Sequence, residues 1–350
     1  MKEYTIALVP GDGVGQEVVG SGRQVLERAE AVFGRFHLLF KEYPAGKLAY
    51  DATGQALPEE TLQGMRQSDA TLVGAMSTGL VPPPSPMGQL RKELDLYADV
   101  RPIKSYPGVW SLKPDIDLVC IRENTQGFLA DRNLFKGYGE FMPTEDVVMS
   151  VRVLSRSGCV RIARYAFEYA RAQGRKKVTV AHKANVLRFG CGFFLDLTRQ
   201  VARDYPEIEL TDEYIDSVAN NLITKPEEYD VLLTTNMFGD VISDEAAALV
   251  SSLVPTANIG VEAAVFRPVH EAKLKEAGKN ITNPLPTILC GSMLLQHLGE
   301  PEAAGAIDRA VAAVLAAGAV RTADLGGGST TAEVTAAVCD NISNAASGVN

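Results

Sequence analysis

Short apolar runs alternate with helix-period patterns along this chain, and that alternation is the signature of an α/β fold. Thr5–Val9 (TIALV) reads as a first strand. Val18, Val25, Leu26, Ala29, Val32 and Phe33 then fall at helical spacing, with Arg23, Glu27 and Glu30 outward. Thr71–Gly74, Leu118–Ile121, Val178–His182 and Val231–Thr235 are further strand candidates. Cys159, Val160, Ala163, Ala166, Phe167 and Ala170 form one amphipathic helix, and Ile307, Val311, Val314 and Leu315 stripe another in an Ala-rich C-terminal third. Val81–Gly88 (VPPPSPMG) is expected to be a loop, because its run of prolines excludes helix and central strand. The chain has 350 residues, enough for about two domains, and shows no internal repeat.

Composition narrows the function classes. Hydrophobic residues make up 46% and charged residues 22%, as in an ordinary globular protein. The net charge of −9 opposes broad attraction to nucleic acid or to an anionic membrane, and leaves room for a local basic site for a small anion. The longest charge-free apolar run, Ala310–Val320, is too short for a bilayer span of about 20 residues. The N-terminal segment lacks an adequate secretory apolar region, so the expected location is the cytosol. Five scattered cysteines, with no CxxC or Cys/His cluster, read as thiols packed like small hydrophobes.

Several segments carry chemistry. Gly11-Asp12-Gly13-Val14-Gly15 lies between a strand and a helix but runs G-x-G-x-G, and no strand-ending acid follows at the dinucleotide-binding distance. A standard Rossmann site is therefore not expected there, and a plain glycine turn remains an open reading. In Asn236-Met-Phe-Gly-Asp240-Val-Ile-Ser-Asp244, the two aspartates are four apart at an expected helix start, so their carboxylates share a face about 5–6 Å apart at Cβ. Such a pair suits a hard divalent cation with oxygen ligands, or serves only the helix dipole. Asp216, at the end of the strand-like Ile208–Ile215, is a third candidate ligand. Arg91, Arg101 and Arg122 are candidate carboxylate ligands, since guanidinium forks suit carboxylates; Arg122 directly follows a strand, where open α/β sheets bind ligands. Lys183 also follows a strand, among apolar neighbours, and is a candidate base or a snorkelling surface lysine. Metal, carboxylate clamp and base together suggest chemistry on a small polycarboxylate.

The set GDGVGQEV, LRKELDLYADVRP, RENTQGF, HKANVL, NMFGDVISDEAAALV and PTANIG…PVH…GKNITNP resembles the decarboxylating β-hydroxyacid dehydrogenases, in order, from about residue 5 to 325. This is the isocitrate, 3-isopropylmalate, homoisocitrate and tartrate dehydrogenase family. The resemblance implies an isopropylmalate-dehydrogenase-like fold, α/β but not of Rossmann type, with an active site in the cleft between two domains. One domain would comprise residues 1–99 plus 251–350 and the other residues 100–250. It implies a homodimer whose partner subunit supplies Lys183 and Asp216 to each site. Mg2+ or Mn2+ would be held by Asp240, Asp244 and the partner's Asp216, and Arg91, Arg101 and Arg122 would bind the malate carboxylates. Ser85 and Met87 would read the substrate side chain, and NAD+ or NADP+ would be held near His270, Lys275 and Asn283. The implied reaction is metal-dependent oxidative decarboxylation of a 3-substituted malate, with Lys183, assisted by Asp216, taking the C2 hydroxyl proton.

Three departures stand out. Leu129 occupies the position of the family's proton-donating tyrosine. Lys275 replaces the aspartate that marks NAD+ preference, which tips the expectation toward NADP+. Arg267 stands where an acid usually precedes Pro-Val-His, and Ser251–Ala257 is about two residues shorter than usual. These departures leave open a second reading, a non-catalytic or regulatory homologue that binds ligand and turns over poorly.

Overall fold

The strands and helices follow the apolar periodicity closely. The computed structural model describes residues 1–77, 79–128, 139–269 and 272–347, which divide into two units. The first unit comprises Met1–Leu94, Ser105–Pro114 and Ser251–Asn350. Its strands are β1 (Lys2–Gly11), β2 (Phe36–Glu42), β3 (Ala70–Ala75), β11 (Pro255–Ile259) and β12 (Ala264–Pro268), in the order β2-β1-β3-β12-β11. The β1, β2, β3 and β12 pairings are parallel, and β11 runs antiparallel to β12. All six residues of β3 are buried, as expected of a strand covered on both faces.

The helices of this unit are α1 (Gly15–Phe33), α2 (Gly46–Thr53), α3 (Glu59–Arg66), α4 (Pro86–Glu93), α9 (Leu285–His297), α10 (Pro301–Ala317) and α11 (Thr331–Ser347). The α1 stripe of Val18, Val25, Leu26 and Ala29 is buried against the sheet, α9 and α11. The helix ends at Gly34, whose left-handed φ of 61° lets its N–H reach the Glu30 carbonyl. The expected loop Val81–Gly88 is corrected here: its last three residues begin α4. Pro86 sits in the first turn, where its missing N–H removes nothing, and Ser85 caps the helix by accepting the Gly88 N–H at 3.1 Å.

The second unit comprises Asp95–Lys104 and Asp115–Val250. Its strands are β4 (Ala98–Lys104), β5 (Asp117–Glu123), β10 (Val231–Thr234), β8 (Lys177–His182) and β9 (Glu209–Tyr214), in that order, with β4 antiparallel to β5 and the other pairs parallel. The helices are α5 (Arg156–Ala172), α6 (Gly190–Ala202), α7 (Ile215–Thr224) and α8 (Asn236–Ala248). A two-stranded hairpin, β6 (Glu140–Thr144) with β7 (Val147–Ser150), also belongs to this unit and is exposed along its length.

Two more expectations change. Asp216 lies in the first turn of α7 rather than at a strand end, because β9 stops at Tyr214. Asp240 and Asp244 lie in the second and third turns of α8 rather than at its start, because the helix already begins at Asn236. The helix dipole therefore does not account for them, since its effect fades within the first turn. All five cysteines are free thiols; burial pushes Cys120, Cys159 and Cys290 up to about 12. Among the described residues no helix is long and apolar enough to cross a membrane.

Candidate active site

The second unit gathers its charge at the ends of β4 and β5. The antiparallel register sets Asp99 opposite Arg122, and Arg101, two residues from Asp99, shares its face. Arg101, Arg122 and Asp99 are all buried. Arg101 donates from Nε to Asp99 Oδ1 at 3.2 Å and from Nη2 to Asp99 Oδ2 at 3.3 Å. Its Nη1 donates to Asp244 Oδ1 at 2.5 Å. Arg122 donates from Nε and Nη2 to Asn236 Oδ1 at 3.0 and 2.7 Å, and from Nη1 to Asp240 Oδ1. Asn236 is itself anchored, its amide nitrogen donating to the Gln126 carbonyl at 2.9 Å.

Each guanidinium thus has one edge held by a buried acceptor and Nη1 turned to an acid of α8. Asp240 and Asp244 are more than half exposed. Burial works against the Arg101 charge, yet Asp99 and Asp244 outweigh it and hold its pKa above the ordinary range. Gly239 makes the approach of α8 possible: a Cβ there would stand 2.6 Å from both Cβ and Cγ of Arg122. The glutamate of RENTQGF is a turn-former. Glu123 accepts from the Thr125 N–H at 2.9 Å, the Thr125 hydroxyl at 2.6 Å and the Gln126 N–H at 2.8 Å.

A second cluster surrounds Lys183, directly after β8. Its Nζ donates to Asp216 Oδ1, and this bond holds the Asp216 carboxyl below the ordinary carboxylate value. His182 fixes the turn before it. Its Nδ1 accepts the Ala184 N–H at 3.0 Å, so Nε2 carries the proton that faces Asp212 at 3.1 Å. Among the described residues no three of His, Cys, Asp and Glu are gathered to hold a metal ion. Asp216 therefore does not join Asp240 and Asp244 within one chain.

The remaining candidates lie in the first unit. Arg91, in the last turn of α4, donates from Nε to Asn258 Oδ1 at 3.3 Å. Ser85 caps α4 and Met87 is buried. Lys275 is exposed. Asn283 donates to Asp324 at 2.9 Å and accepts the Leu285 N–H at 3.0 Å. His270 and Leu129 lie outside the described residues. Asp12 of the glycine loop is buried and accepts the backbone N–H groups of Lys47 at 2.7 Å and Ser77 at 3.0 Å. Gly13, with φ of 55°, lets the loop lie against the Ala272 carbonyl, which would be 2.0 Å from a Cβ. Sequence reasoning missed Asp99 and Asn236; the signal for Asp99 was an acid two residues before a candidate ligand arginine. It also missed Arg152, which lies over the Phe128 and Phe238 rings and donates to the Thr235 hydroxyl at 3.2 Å.

Comparison with known proteins gives one consistent result. The family model for isocitrate/isopropylmalate dehydrogenase matches residues 5–340. A 3-isopropylmalate dehydrogenase of Archaeoglobus fulgidus is 43% identical over 330 residues, covering 94% of this chain and 96% of its own. An isocitrate/homoisocitrate dehydrogenase of Thermus thermophilus is 42% identical over 342 residues, covering 96% and 98%. The crystal structure of isocitrate dehydrogenase from Methylococcus capsulatus superimposes with a TM-score of 0.88 at 38% identity, covering 97% of this chain and 99% of the other.

Proposed function

This chain belongs to the isocitrate/isopropylmalate dehydrogenase family, and on that premise we propose that it catalyses the oxidative decarboxylation of a 3-substituted malate. The observation that carries this reading is the pairing of two buried guanidiniums, aimed by fixed acceptors, with two exposed carboxylates on one face of α8. Guanidiniums suit substrate carboxylates, and hard aspartate oxygens suit Mg2+ or Mn2+. Asp240 and Asp244 would hold the cation, with Asp216 of a second copy as third ligand. The cation supplies Lewis-acid charge beside the substrate oxygens, and NAD+ or NADP+ supplies the hydride acceptor.

The chain's own residues do the rest. Arg101 and Arg122, with Arg91, bind and orient the substrate carboxylates. Asp216, held ionised by its bond to Lys183, keeps the Lys183 side-chain nitrogen in place. Lys183 of the second copy, as the neutral amine, takes the C2 hydroxyl proton as the hydride leaves C2 for the nucleotide. The 2-oxo acid then loses the C3 carboxylate as CO2, and a proton is returned to C3. Ser85 and Met87 would read the C3 substituent, and His270, Lys275 and Asn283 would hold the cofactor, with the Lys275 charge favouring the 2′-phosphate of NADP+.

Homodimerisation follows from the need for Asp216 beside Asp240 and Asp244. Its support is the number of exposed large apolar side chains on the second unit: Phe189 is 95% exposed, and Val186, Val241, Met142 and Val148 are also exposed. Five free thiols fit the reducing cytosol.

The test is a panel of isocitrate, homoisocitrate, isopropylmalate, tartrate and malate with each nucleotide and Mn2+, following absorbance of the reduced nicotinamide. Turnover of one 3-substituted malate, abolished by Asp240→Asn and by chelator, is expected. Full activity in excess chelator, or no reduction with any pair, would overturn the proposal.

A further inference from the structure

Asp99 has no exposed surface, and a carboxylate is buried at that depth only with partners that offset its lost hydration. Its partners include the two arginines of the site. It takes both Nε and Nη2 of Arg101, and its Oδ2 lies 3.8 Å from Arg122 Nη1. Among the described residues, the other acids paired with these guanidiniums are Asp240 and Asp244, with Arg101 Nη2 also 3.8 Å from Asp240 Oδ1. These acids are exposed and mounted on a helix, so they can exchange partners. Asp99 sits in a strand and cannot.

The five groups carry a net charge of −1: two arginines against three aspartates. Without Asp99 the balance would be zero, and two buried cations would rely wholly on Asp240 and Asp244. A cation drawing those two acids away would then leave both guanidiniums buried without a counter-charge, a heavily penalised state.

We infer that Asp99 is a positioning and charge-balancing residue: it stays with the arginines when Asp240 and Asp244 turn to a divalent cation, and it aims Arg101 Nη1 at the substrate carboxylate. This inference rests on the metal and carboxylate roles proposed above. It accounts for why Arg101 engages its acids through two separate edges, one buried and permanent, the other exchangeable.

The experiment is a titration of the full-length chain with Mn2+ alone, following free Mn2+ by electron paramagnetic resonance. Asp99→Asn keeps the shape and removes the charge. It is expected to bind Mn2+ at least threefold more weakly than wild type, because the arginines then hold Asp240 and Asp244 harder. Asp99→Asn combined with Arg101→Gln restores the net charge of −1 and is expected to return Mn2+ affinity to within about twofold of wild type. A purely structural role for Asp99 would give no such recovery.

In steady-state kinetics the apparent KM for Mn2+ should rise in Asp99→Asn by a larger factor than kcat at saturating Mn2+ falls. Unchanged Mn2+ affinity in Asp99→Asn overturns the inference. So does a double variant threefold or more weaker than wild type, which is also the deciding comparison if the single variant does not fold. Wild-type chain that binds no Mn2+, or binds it equally well as Asp240→Asn, overturns the metal site and this inference together.

Discussion

Replacing Gly239 by alanine sets two opposing effects against each other. Gly239 is a helix-interior residue of α8, and there alanine is favoured over glycine by about 1 kcal/mol. Against this, the new Cβ would stand 2.6 Å from Cβ and Cγ of Arg122 and 3.1 Å from Cδ. Carbon–carbon contact is optimal from roughly 3.5 Å, so α8 and β5 must part by close to 1 Å. The Arg122 stem is fixed to a central strand and cannot swing aside. Overpacking of this kind typically costs about 1–3 kcal/mol.

The separation also stretches the 2.7 and 3.0 Å bonds from Arg122 to Asn236 beyond hydrogen-bond range. Each charged hydrogen bond lost contributes a further ~1.5–3 kcal/mol. The net expectation is destabilisation by about 3–8 kcal/mol, a fall in Tm of roughly 4–11 °C for a chain of this length. Substrate KM should rise together with this loss, since Arg122 Nη1 moves with the stem. The assay is thermal unfolding beside steady-state kinetics, with Gly20→Ala as control. Gly20 is exposed on α1, and a Cβ there would meet nothing within 4 Å, so that variant should gain stability. A Gly239→Ala chain with unchanged Tm and KM would refute the close-approach argument.

Shared sites predict that inactive Lys183→Ala and inactive Asp244→Asn chains, mixed under exchange, regain part of the activity, because one of the two sites in a heterodimer carries neither lesion; proven exchange without recovery counts against sharing. Burial raises the Asp212 pKa, but its bonds to His182 and Arg199 win and leave it below the ordinary 3.8, so its contribution is present above that pH and lost as pH falls through the lower folded value. Urea midpoints should accordingly show Asp212→Asn less stable than wild type at pH 6, with the gap closing below about pH 3.8; a gap independent of pH would contradict this. Leu129→Tyr is expected to raise kcat on isopropylmalate or isocitrate, since general-acid catalysis is typically worth about 10²–10⁴-fold; an unchanged kcat would mean that another acid already serves.

Much of this architecture is written in hydrophobic spacing. The apolar run Thr5–Val9 and the stripe from Val18 to Phe33 are a strand and a helix, because a short unbroken apolar run and a 3.6-residue period leave distinct traces. Pro86 misled for a physical reason: proline blocks a helix interior but suits its first turn, and only Ser85 as cap distinguishes the two cases. Asp99 stayed hidden because an acid in a strand ordinarily faces water. Its value depends on the antiparallel register that sets it opposite Arg122, and register is a long-range fact. The glycine loop was legible as a turn, but the inward Asp12 was not, since its partners Lys47 and Ser77 are far away in sequence.

The interleaving of the first unit has a consequence for synthesis on the ribosome. Strand β3 is buried on both faces, and its edge opposite β1 is covered by β12, through Thr71 with Val265 and Leu72 with Phe266. Those partners emerge nearly two hundred residues later. During that interval the second unit, complete at Val250, can already fold, while the earlier segment waits with an apolar strand edge uncovered. A nascent chain stalled near Val250 would thus present one finished unit tethered to an adhesive half-sheet, a natural target for holding chaperones.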